Sequence, residues 1–133
     1  MTTTLETKLK IKSWDENPYR ELDDGRKFTR AEVALASADG IDEATFEALM
    51  FYRADGTSSY VSLMSFTATI DGRSGSFVAR GTGGYDGTTA VGESTVVPGS
   101  GTGDLSGLTG TVTSRSTHAD YPHMPLTLTY DFE

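Results

Sequence analysis

A chain of 133 residues with 23% charged and 36% hydrophobic side chains has the balance of one globular domain, here taken to span residues 1–133, and not of a disordered chain. Its net charge of −8 argues against a nucleic-acid surface, which needs clustered Lys and Arg. With no cysteine, disulfides, thiolate metal sites and cysteine nucleophiles are excluded, in keeping with a reducing compartment.

The dominant period is two. "TLETKLKIKSW" sets Leu5, Leu9 and Ile11 against Glu6, Lys8, Lys10 and Lys12, so its basic row reads as the wet face of a strand. No apolar stretch of signal-peptide or membrane-span length is present, and a soluble cytoplasmic protein is the expectation. Trp14, just beyond this strand, either plugs one end of the fold or lines its mouth.

"FTRAEVALAS" and "EATFEALMFYR" follow. Their composition suits a helix from Ala34 to Ala38, but the Asp39-Gly40 break and the β-rich surroundings favour two strands. Phe46, Ala48, Met50 and Tyr52 share one parity there, which places Glu47 outside, although the mixed faces of this strand leave an inward Glu47 open. Asp55-Gly56 and "IDGRSG" are hairpin signals, because Asp and Gly tolerate positive φ. Between them "SYVSLMSFTATI" points Tyr60, Ser62, Met64 and Phe66 one way. "GSFVARGTG" and "TTAVGESTVV" do the same with Phe77 and Ser94, leaving Glu32 and Glu93 on the outer parity.

The glycine-rich "VVPGSGTGDLSGLTG" does not hold a nucleotide. No Lys follows its glycines, the third position of a dinucleotide fingerprint falls on Ser106, and Asp104 would repel phosphate. It reads as a wide strand-to-strand connection after Pro98. "GTVTSRS" is a further strand. The two histidines, in His118-x-Asp120-x-x-His123, match no established ligand spacing and read as a solvated loop, so no metal is expected. "PLTLTYDFE" closes the chain with Leu126, Leu128, Tyr130 and Phe132 on one face. About eight such strands have the spacing of an all-β, antiparallel up-and-down barrel or sandwich; one face dry and one wet is what a closed, calycin-like barrel requires, its interior either filled or holding one small ligand.

Five blocks carry a family resemblance: "SWDENPY", "YRADGTSSYVSL", "DGRSGSFV", "TVVPGSGTGDLSGLTG" and "LTYDFE". Spread from residue 13 to residue 133, they resemble a family of small bacterial proteins of unknown function with the allene oxide cyclase-like barrel fold. The resemblance implies an eight-stranded barrel with a central cavity and no agreed activity. Members often carry an acid where this chain has Met64, His at Gly81 and Trp at Ser94. With all three pointing inward, Ser and Gly in place of Trp and His would empty roughly 200 Å³. The interior is then roomier and drier, unless other positions have grown to keep the core full.

No serine sits in a nucleophile elbow, and the inward set holds almost no carboxylate. What remains inside is hydroxyls among apolar groups. Tyr52, Tyr60 and Tyr130 are the candidate catalytic residues, polarising a carbonyl or stabilising developing negative charge. Phe46, Met50, Ser62, Met64, Phe66, Phe77, Ser94 and Leu128 are the candidate ligand-binding walls. Such a mould needs no cofactor. The expected function is a cofactor-independent cyclase or isomerase acting on a bulky, largely apolar metabolite of the natural-product kind. The alternatives are a barrel that only binds a small hydrophobic molecule, and a filled barrel acting through an oligomeric surface. A homodimer is the expected assembly.

Overall fold

The computed structural model describes residues 3–38, 40–117 and 119–132. Eight strands follow one another: β1 (Thr3–Glu21), β2 (Lys27–Leu35), β3 (Ile41–Tyr52), β4 (Ser58–Ile70), β5 (Arg73–Tyr85), β6 (Thr89–Val96), β7 (Leu108–Thr117) and β8 (His123–Phe132). Each pairs antiparallel with its neighbours in chain order, and β1 also pairs with β8, so the sheet closes into a ring with no free edge strand. The connections after β1, β3, β5 and β7 therefore gather at one end of the ring and those after β2, β4 and β6 at the other. Among the described residues no helix is long and apolar enough to cross a membrane, a statement about helices alone.

Periodicity explains the strands. Thr29, Ala31, Val33 and Leu35 of β2 and Ala44, Phe46, Ala48 and Met50 of β3 are buried while the residues between them are not, so the segment with helical composition forms two strands. The register with β2 and β4 decides Glu47: it faces outward, 58% exposed, 4.0 Å from Arg30. Asp71 and Gly72 join β4 to β5 with φ of 52° and 75°, the two left-handed positions that a tight hairpin turn requires.

β1 is longer than the sequence suggests, and its two halves face differently. Thr7 and Leu9 are buried on odd parity. The pairing with β2 then shifts between Ile11 and Ser13, and beyond it Trp14 lies opposite Val33 and Glu16 opposite Ala31, both inward residues. One extra residue in the ladder has moved the inward face from odd to even numbers. Trp14 thus belongs to the strand itself.

The glycine-rich connection after β6 is structural. On β5, only the residues from Ala79 to Tyr85 pair with β6. The rest of the β5 edge is taken up by this connection: Val97 N–H donates to Val78 O at 2.8 Å, Thr102 N–H to Ser76 O at 2.9 Å, and Asp104 accepts from Ser74 N–H at 3.3 Å. A single 3-10 turn, Gly103–Leu105, drives Leu105 fully into the core. Together with the stacked rings of Phe66 and Phe77, centroids 4.8 Å apart, Leu105 helps to fill this end of the ring. Such a ring pair adds about 0.5–1.5 kcal/mol beyond its buried area.

Candidate functional site

At the opposite end lies a pocket of about 530 Å³, within the size range of small-molecule sites. Val33, Phe46, Met50, Met64 and Val112 give it apolar walls, Tyr60, Ser62, Ser94 and Ser114 add hydroxyls, and Trp14, Tyr121 and His123 stand near its mouth.

Tyr60 is the central polar group. Its ring meets Phe46 edge-on, centroids 5.5 Å apart at 87°. It also lies across Gly83, its partner on β5, and Gly92, the partner of Gly83 on β6; a Cβ on Gly83 would collide with the Tyr60 ring and with the Val91 carbonyl. The two glycines leave bare backbone on which the ring rests. Burial pushes the Tyr60 pKa up, so the phenol stays neutral and keeps its proton. Among the described residues its hydroxyl, which lies over Gly83 and Gly92, has no hydrogen-bond partner, and the residue lines the pocket.

Tyr52 also lines the pocket, but its proton is committed. It donates to Glu16 Oε2 at 2.6 Å, and burial followed by this bond raises its pKa well above the usual phenol range. Glu16 collects two further donors, Thr29 Oγ1 at 2.8 Å and Trp14 Nε1 at 2.8 Å. Burial alone would raise its pKa, yet the bonds from Tyr52, Trp14 and Thr29, with the charge of Lys27, outweigh that and hold it below the ordinary value. Glu16 is an inward-turned anion outside the pocket lining that holds Tyr52 and Trp14. Alternation alone misses it, because the shift between Ile11 and Ser13 reverses parity; the signal is the bulky pair Trp14-x-Glu16 following an odd-numbered apolar series.

The third tyrosine lies elsewhere. Tyr130 is inward and 3% exposed, but it belongs to the filled end, where its hydroxyl donates to Asp71 Oδ2 at 2.7 Å. Phe66, Phe77 and Leu128 are likewise inward and outside the pocket lining. The candidates that the structure brings together are therefore Phe46, Met50, Tyr52, Tyr60, Ser62, Met64 and Ser94. Gly81 does not act as expected. A Cβ there would collide with the Glu93 carbonyl and with Ser94, since β5 and β6 come together closely, so this position frees no room.

His118 lies outside the described residues, as does Asp39. Asp120 accepts from Thr117 N–H at 2.8 Å and so fixes the turn before β8, and His123 lines the pocket. Among the described residues no three His, Asp or Glu side chains gather as a metal site. The arrangement sets the Tyr60 phenol and the Ser62, Ser94 and Ser114 hydroxyls in a largely apolar enclosure, with an ionised carboxylate holding Tyr52 and Trp14 beside it.

A family model described as "Protein of unknown function (DUF3224)" matches residues 5–130, and the chain belongs to that family. No curated protein matches it. Among solved structures, the crystal structure of a DUF3224-family protein of unknown function from Shewanella oneidensis MR-1 is similar across 100% of this chain and 99% of that one, with a TM-score of 0.70 and 21% identity. That likeness carries the fold.

Proposed function

We propose that this member of the family is a hollow barrel of the allene oxide cyclase-like kind, and that it takes up one small, largely apolar molecule bearing a hydrogen-bond acceptor. Tyr60 donates to that acceptor, while Phe46, Met50 and Met64 hold the remainder of the molecule folded. A polyene or enone held in this way cyclises or isomerises without a cofactor, because the donor stabilises negative charge as it develops on the oxygen. The observation that carries this reading is Tyr60 in the lining of an apolar pocket, its hydroxyl without a hydrogen-bond partner among the described residues.

A second reading, a binder without turnover, is favoured by the small number of polar groups free to act. Of the three tyrosines, Tyr52 directs its hydroxyl proton at Glu16 and Tyr130 its own at Asp71. Tyr60→Phe separates the two readings. An electrostatic donor in catalysis costs about 10²–10³ in kcat when removed, whereas one neutral hydrogen bond to a bound ligand costs about tenfold in affinity. Loss of turnover far beyond the loss of affinity supports the cyclase or isomerase. If no enone or polyene in a panel that binds the pocket is converted by the wild type, the binder remains.

A further inference from the structure

The outer face of β3 and β4 leaves three large apolar side chains in water: Leu49, Val61 and Leu63, 50%, 54% and 51% exposed. They are adjacent, since Leu49 lies opposite Val61 and Leu63 is two residues further along β4. The strand register arranges charge around them in a definite order. One row across the sheet runs Arg30, Leu49, Val61, Thr82, Glu93, and the next runs Glu32, Glu47, Leu63, Arg80, Thr95. A third, nearer the pocket end, runs Phe28, Phe51, Ser59, Gly84, Val91.

We propose that this face is an interface with a second copy of the chain, related by a two-fold axis running along β4. Such an axis keeps Val61 on Val61 and Leu63 on Leu63 and exchanges the left and right sides of each row. Because the ring curves away beyond β3 and β5, only those two strands flank the contact: Glu47 then faces Arg80 of the second copy, and Phe51 settles over its bare Gly84. An axis across the strands would instead set Leu49 against Glu47 and bury a carboxylate on a leucine, so the charge order selects the first arrangement. A contact confined to β3, β4 and β5 is small, which suits a concentration-dependent dimer.

Charge exchange tests the arrangement. Arg80→Glu alone sets two carboxylates against each other at the contact with Glu47, and Glu47→Arg alone sets two guanidinium groups together at the same place. Each variant is therefore expected to sediment as a monomer where the wild type is a dimer. Mixed in equal amounts, the two variants face each other with opposite charges in both contacts, and the dimer mass returns. Misfolded variants would not restore one another. A wild type that stays monomeric across a concentration series in analytical ultracentrifugation overturns the proposal. So does a variant that dimerises alone, or a mixture that remains monomeric.

Discussion

The Tyr52 hydroxyl donates to Glu16 Oε2 across 2.6 Å, tying the last residue of β3 to a carboxylate that the irregularity in β1 has turned inward. This bond decides which tyrosine is free to act. It also makes the wall of the pocket depend on the charge of Glu16.

Glu16→Ala leaves Tyr52, Thr29 and Trp14 without their acceptor and is expected to destabilise the fold by about 1–2 kcal/mol at neutral pH, the lower part of the range for charged acceptors because the site is half-buried. Folding holds the Glu16 pKa below 4.5, so the ionised form is favoured in the folded state. Its contribution is present above the unfolded value and is lost as pH falls through the folded one. Urea unfolding of wild type and variant should show a gap that is constant above about pH 5 and narrows below it. A gap that does not change on acidification would mean the contact is not an ionic one.

Gly92→Ala places its Cβ against the Tyr60 hydroxyl and little else, so the ring must tilt. The expected cost is about 1 kcal/mol, with weaker binding of a carbonyl ligand. In a Tyr60→Phe background the same substitution should be nearly neutral, because the colliding oxygen is gone. Equal costs in both backgrounds, read by thermal unfolding, would place the ring away from Gly92.

Tyr130→Phe should cost about 1 kcal/mol of stability through its lost bond to Asp71 and leave ligand affinity unchanged. Burial, and then that bond, push the Tyr130 pKa up to about 12. Its contribution to stability is therefore present below the ordinary phenol value of 10.0 and lost as pH rises toward 12. Ultraviolet titration should show one late-ionising tyrosine fewer in the variant.

Ser94→Trp puts an indole into the pocket from β6. Because the pocket offers about 530 Å³, the fold is expected to survive while ligand binding measured by calorimetry is abolished. Retained affinity would locate the ligand elsewhere.

Strand number, order and inward parity were legible because alternation persists through β2, β3, β4 and β8, and Asp55-Gly56 and Asp71-Gly72 mark turns by their chemistry. Two things were not. Parity cannot see an inserted residue, so Glu16 stayed hidden as the shared acceptor of Tyr52 and Thr29. Nor does parity say which end of a ring is open. Tyr130, Phe66, Phe77 and Leu128 are as inward as Tyr60, but the fold of the glycine-rich connection around Leu105 helps fill their end. Gly81 misled for a related reason, because an absent side chain can mean close backbones as readily as empty space.

Trp14, the single tryptophan of the chain, lines the pocket and reports its occupancy without a label. The most direct test is a fluorescence titration with β-ionone, a compact apolar ketone. Saturable, one-to-one binding is expected, weakened about tenfold by Tyr60→Phe and untouched by Tyr130→Phe. A signal that never saturates, or a Tyr60→Phe variant that binds as the wild type does, would contradict a pocket organised around that hydroxyl.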